Sequence, residues 1–146
     1  MKIVLNEFIV NRAVGNPVDR ANVIALVEKI RNNPSAKVLL SPELLGTYYA
    51  KAKKIEKQLR ECPKVIKNFM LLIQDFDKAP IIQLSKIKLP PSLEHDRELI
   101  ATAAAWKSDK LLITTDDDLI KLLKEESITA TYHIETLKPE EALQRI

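Results

Sequence analysis

Three consecutive carboxylates, Asp116, Asp117 and Asp118, follow an apolar run (Leu111, Leu112, Ile113) and two threonines, Thr114 and Thr115. Acids packed this closely repel one another unless a cation stands among them. Hard oxygen donors suit magnesium or manganese, which keep part of their water shell and leave positions for phosphate oxygens. A centre of that kind activates water and offsets charge that develops on a phosphodiester. The competing reading is local: Asp116 or Asp117 caps a helix that begins near Leu119, and the other two acids are solvated. Other candidates can join them. Asn6 and Glu7 follow the first apolar run, Glu43 opens the segment after the second, and Asp96 stands in the turn that leads toward Leu111. His95 and His133 have no partner at metal-ligand spacing and read as surface or capping residues.

The elements that must position these groups alternate in type. Residues 1–5 and 37–40 read as short buried strands. Asp19 can cap a helix whose stripe includes Val23, Ile24, Leu26, Val27 and Ile30, and Asn32-Asn33-Pro34 ends it. Ser41 followed by Pro42 is a cap-and-first-turn signal for a helix that runs to about Leu59. Pro63 starts another that reaches about Phe76. Residues 80–88 read as a strand through Ile81, Ile82, Leu84 and Ile87, and Pro90-Pro91 breaks it. A helix from Ser92 or Asp96 to Trp106, a strand over 111–113 and a helix over about 119–124 follow. Residues 128–134 read as the last strand, and a helix over 139–145 closes the chain. Strands alternating with helices require parallel pairing with crossover connections. Strand ends after Leu5, Leu40 and Ile113 then share one edge, the edge where ligands collect in such sheets.

The totals narrow the classes. A chain of 146 residues, 46% hydrophobic and 29% charged, suits one globular domain without repeats or low-complexity segments. No apolar run approaches bilayer length, so no membrane association is expected. Two glycines, at 15 and 46, leave no glycine-rich phosphate loop. Cys62 is the only cysteine, which excludes an internal disulfide and suits a reducing cytoplasm. The net charge of +3 is too small to signify nucleic-acid binding by itself. Lys51, Lys53, Lys54, Lys57, Arg60, Lys64 and Lys67 crowd two helices beside Tyr48 and Tyr49. They read either as a phosphate-tracking face for RNA or as a solvated face balanced by Glu56 and Glu61. Arg12 and Arg20 flank the loop after the first strand, and Trp106 reads as a core residue. Met70, Leu71, Leu72 and Ile73 exceed one helical stripe and suggest packing on the sheet, a dimer face or a partner groove.

Four segments carry a family resemblance: Met1-Lys-Ile-Val-Leu-Asn6, Val38-Leu-Leu-Ser-Pro-Glu-Leu-Leu45, Asp96-Arg-Glu-Leu-Ile-Ala-Thr-Ala103 and Leu112-Ile-Thr-Thr-Asp-Asp-Asp-Leu119. In this order they resemble a PIN domain, the nuclease fold of many prokaryotic toxin–antitoxin ribonucleases. The resemblance implies a three-layer α/β/α PIN-like domain over residues 1–146 with a mainly parallel sheet of four to five strands. It implies magnesium or manganese as cofactor and RNA as substrate, with an antitoxin protein and a second copy of the chain as partners. Its site would comprise Asp96, Asp116 and Asp118 as catalytic acids and metal ligands, with Glu43 as a further catalytic acid and both Glu43 and Asn6 as further metal ligands. Two positions depart from the pattern. Asn6 stands where the family has its first aspartate, and Thr47 where its helix-borne glutamate falls. Glu43 lies one turn before Thr47 on the same helical face, and Glu7 should point away from Asn6 on a strand. Fewer anionic ligands mean weaker magnesium binding. The alternative is therefore a catalytically degenerate PIN-like module that binds RNA or protein. A small phosphatase or phosphotransfer domain built on the same acids is a third reading.

Overall fold

The structure, a computed structural model, describes residues 1–6, 16–59 and 64–146. Glu7, Arg12, Gly15, Arg60, Glu61, Cys62 and Pro63, the expected start of a helix, lie outside the described residues. Four parallel strands form one sheet in the order β2–β1–β3–β4: β1 is Lys2–Leu5, β2 Lys37–Val38, β3 Lys110–Ile113 and β4 Ile134–Leu137. Helices α1 (Pro17–Asn32), α2 (Pro42–Leu59) and α3 (Lys64–Gln74) precede a 3-10 turn at Pro91–Asp96, which runs into α4 (Arg97–Ala104). Then come α5 (Asp117–Glu125), α6 (Ile128–Thr131) and α7 (Pro139–Arg145). α1 packs against α3 and α7, α2 packs against α4, and α5 lies beside the 3-10 turn. The fold is three-layer α/β/α.

The central strands explain why both faces must be covered. Ile3, Val4 and Leu5 in β1, and Leu112 and Ile113 in β3, are wholly buried although successive side chains point to opposite faces. The apolar face of α1 supplies Val23, Leu26, Val27 and Ile30, and α3 supplies Val65, Ile66, Phe69, Leu72 and Ile73. Of the apolar cluster at 70–73, only Leu71 remains largely exposed, at 54%. Tyr48 is fully buried, its ring edge-on to Phe69 at 5.2 Å between centroids, and its hydroxyl donates to the Leu5 carbonyl.

Several elements differ from the sequence expectations. Residues 80–88 are not a strand: Ile81 alone pairs, through a single parallel bridge to Leu40. β2 is only two residues long and offers little edge, and beyond Ile82 the Ser85 N–H donates to the Ala101 carbonyl of α4 at 3.4 Å. The last strand is displaced. Ser127 takes a left-handed conformation (φ 59°), a helical turn follows, and His133 (φ 56°) redirects the chain into β4 at Ile134. The β-branched Ile128, Thr129 and Thr131 favour a strand, but that local preference yielded to a helical turn that buries Ile128, its first residue. The cap of α1 is Asn16, whose side chain accepts from the Asp19 N–H, and Asp19 sits in the first turn. Ser41 caps α2 as expected, accepting from the Leu44 N–H at 3.1 Å. Trp106 is half-buried at the margin of the core, with the Lys2 ammonium 4.6 Å from its ring centroid.

The end of α1 is closed by a side chain from another element. The half-buried Lys78 ammonium donates to the carbonyls of Ile30 (3.1 Å), Asn33 and Ala36 (3.4 Å). A cation there meets the negative end of the helix and carbonyls that the helix leaves without partners. Lys78→Met should therefore lower stability by about 1–3 kcal/mol in urea denaturation, the range for hydrogen bonds made by a charged group.

Candidate functional site

The C-terminal edge of the sheet is stitched together just beyond β1 and β3. The Asn6 N–H donates to the Ile113 carbonyl at 3.0 Å, and Asn6 Nδ2 donates to Thr114 Oγ1 at 2.8 Å. Thr114 is fully buried, and its own N–H donates to the Leu137 carbonyl at 3.0 Å. The same Thr114 hydroxyl oxygen accepts from the Asp116 N–H at 3.2 Å. Asp116 in turn caps α5, with Oδ1 accepting from the Leu119 N–H at 3.0 Å. The three consecutive acids therefore diverge. Asp116 is engaged as a cap while its residue stays exposed. Asp117 is drawn away by Lys138, 2.7 Å from its Oδ1. That carboxylate holds the Lys138 ammonium above its ordinary pKa. Asp118 lies exposed on the first turn of α5.

The facing wall comes from α2 and α4. Ser41 and Thr102 are both wholly buried and meet hydroxyl to hydroxyl at 2.8 Å, and Thr102 also donates to the Glu98 carbonyl at 2.6 Å. This lock sets α2 against α4 and brings Thr47 Oγ1 to 2.8 Å from Glu98 Oε2, while within α2 the same oxygen lies 3.2 Å from the Glu43 carbonyl. Arg97 fixes the approach to α4: it pairs with Glu94 at 2.6 Å and donates to the Ile87 carbonyl at 2.9 Å. The Arg97 guanidinium, hydrogen-bonded to Glu94, holds that carboxyl below its ordinary pKa.

Between the walls lies a small pocket of about 50 Å³, lined by Asn6, Thr47, Tyr48, His95, Asp96 and Glu98 among others. That is room for a few water molecules. Of the sequence candidates, Asn6 and Asp96 share this pocket, and Asp116 joins it indirectly through Thr114 and Asn6. Glu43 and Asp118 are exposed and are not among its lining residues. Among the described residues, no three histidine, cysteine, aspartate or glutamate side chains come together as a metal-binding group. Glu98 was missed from the sequence. It stands two residues after Asp96, a signal visible in the segment Asp96-Arg-Glu98, but only the packing of α2 on α4 turns it toward Thr47. His95, read as a surface residue, is exposed and also lines the pocket.

Comparison with protein-family models, with curated proteins and with solved structures returned no match.

The buried Thr114 hydroxyl is the joint of this edge. Thr114→Val should cost about 1–3 kcal/mol, because the Asn6 amide and the Asp116 N–H lose one acceptor together. Asp116→Ala should cost about 1 kcal/mol, whereas Asp116→Asn, which still caps, should be nearly neutral. Thermal and urea denaturation of the three variants checks both statements.

Proposed function

We propose that the edge formed by Asn6, Asp96, Glu98 and Asp116 is the active site of a magnesium- or manganese-dependent ribonuclease of the PIN type, as in the toxin of a toxin–antitoxin pair. The reading is supported by one juxtaposition: Asn6 shares a pocket with Asp96 and Glu98 and is bonded on its other side to the threonine that holds Asp116. In this reading Glu98, not Glu43, supplies the acid that the Thr47 position lacks. The donors are mainly hard oxygens, a set that suits magnesium or manganese held by one or two carboxylates, with water and a substrate phosphate completing the shell. When bound, such an ion supplies a water of lowered pKa and counter-charge for the phosphodiester.

The protein's own groups have separate tasks. Asp96 brings negative charge from the pocket lining and Asp116 from the cap of α5, and Asp118 adds to the field from the first turn of that helix. Thr114 fixes the Asn6 amide, so its orientation is set before substrate arrives. Thr47 holds the Glu98 carboxylate in the pocket. Lys51 and Lys54 lie four and seven residues beyond Thr47, on the same stripe of α2, where cations can meet the phosphates of an RNA strand that leaves the pocket.

A second reading is favoured by Asn6 itself. A neutral amide that donates to Thr114 is a poor substitute for an anionic ligand. A domain of this kind that had lost catalysis would bind RNA or a protein partner at the same edge.

Cleavage of single-stranded RNA with manganese separates the two. If the site is catalytic, Asp96→Asn and Asp116→Asn should each reduce the rate by about 10²-fold or more while the fold is retained. Salt-sensitive RNA binding without cleavage supports the binding module, and equal cleavage by wild type and both variants overturns the nuclease. Thr47→Glu supplies a further check. It sets a second carboxylate against Glu98, so its melting temperature should fall without metal and recover with millimolar manganese.

A further inference from the structure

At the opposite, N-terminal edge of the sheet lies a much larger pocket, of about 530 Å³, within the size range of small-molecule sites. Lys2, Lys110, His133, Glu135, Arg145 and Asp109 supply its charged and titratable lining. The strand register makes this edge electrostatically unusual. Lys2 pairs with Lys37 across β1 and β2, and Ile3 pairs with Leu111, so by the same register Lys2 also lies beside Lys110. Three lysines thus stand in one row across adjacent strands roughly 4.8 Å apart, where like charges directly opposite are destabilising.

Their ammonium groups find carbonyls and a ring, and no ion pair forms with any of the three among the described residues. Lys37 donates to the Asp77 carbonyl, Lys110 to the Trp106 carbonyl, and Lys2 sits over the Trp106 ring. Lys110 is 98% buried, a rare state for lysine. Burial pushes its ammonium below the ordinary lysine pKa, with the Asp109 charge acting against the shift. The two carboxylates of the lining do not neutralise this pair. Glu135 is taken by Arg145 through two hydrogen bonds, and the Asp109 side chain is 99% exposed, 3.9 Å from His133 Nδ1. Arg145 keeps further N–H donors beyond those two.

We infer that this pocket binds a small anion carrying a phosphate group, with Lys2 contacting the phosphate, Arg145 at the rim and the buried Lys110 adding its charge from behind. An anion held beside the two lysines offsets their mutual repulsion. Leu111, Ile134 and Ala130 offer an apolar wall for the body of the ligand. The site stands apart from the acidic edge and does not depend on the function proposed for it.

Trp106, the only tryptophan of the chain, lies outside the pocket lining but against the Lys2 ammonium, so its emission responds to charge bound beside Lys2. Inorganic phosphate and AMP, titrated separately into the full chain, distinguish a free phosphate from a phosphate monoester. Saturable change in Trp106 emission with either probe is expected. Lys2→Met and Lys110→Met should each weaken it at least about tenfold, the scale for removing one partner of a desolvated charge contact. Lys121→Met, exposed on α5 and outside the pocket lining, should leave it unchanged. Absence of a saturable change up to about 10 mM of either probe, a concentration that reveals even weak sites, overturns the inference. Undiminished binding by the Lys2→Met, Lys110→Met double variant also overturns it, provided circular dichroism shows that variant folded.

Discussion

The alignment of β1 between β2 and β3 governs both ends of the molecule. β1 has only four residues, all apolar but the first, and its three buried members must satisfy two helical layers at once. A slip of one residue against β3 would exchange every side chain between faces. With the alignment as it is, Leu5 pairs with Ile113, and the next residues, Asn6 and Thr114, meet through side chains. The same alignment at the other end sets Lys2 between Lys37 and Lys110. One strand pairing therefore creates an edge rich in carboxylates and hydroxyls and an opposite edge rich in ammonium groups.

Hydroxyls, more than acids, hold the candidate site in shape. Thr114 ties β1 and β3 to the first turn of α5. Ser41 and Thr102 tie α2 to α4 at a position from which water is excluded, so loss of either hydroxyl removes a buried hydrogen bond between the helices. Tyr48 adds a third tie, from α2 to the carbonyl that precedes Asn6. Such short, rigid groups make good braces because they surrender little side-chain entropy on burial. The acids hang on this frame: Asp116 from a cap, Glu98 from Thr47, Asp117 turned outward by Lys138. Three adjacent carboxylates thus disperse into three environments, which lowers their mutual repulsion.

Where local preference and tertiary context disagreed, context prevailed for identifiable reasons. The apolar residues at 80–88 have strand chemistry, yet a two-residue β2 cannot support a neighbour beyond Ile81, and Ile82, Leu84, Ile87 and Leu89 are partly covered without a ladder. The stretch after Ser127 has β-branched residues, yet the chain needed a turn to bring Ile134 beside Lys110, and a helical turn with two left-handed residues provides it. A single reading of periodicity cannot see either demand, because both depend on what lies alongside.

What the sequence determined by itself was the alternation of strands and helices, the buried character of β1 and β3, the helix start at Ser41 and a helix capped by Asp116 or Asp117. These follow from short-range chemistry: apolar runs, a capping oxygen, a proline in a first turn. It also showed that acids cluster after strands and that Asn6 and Thr47 are neutral. Only the tertiary structure decided that Glu98, and not Glu43, faces the pocket, and that three lysines distant in sequence share one row. Those facts depend on helix packing and strand alignment, which bring together residues separated by tens of positions and leave no local trace in the chain.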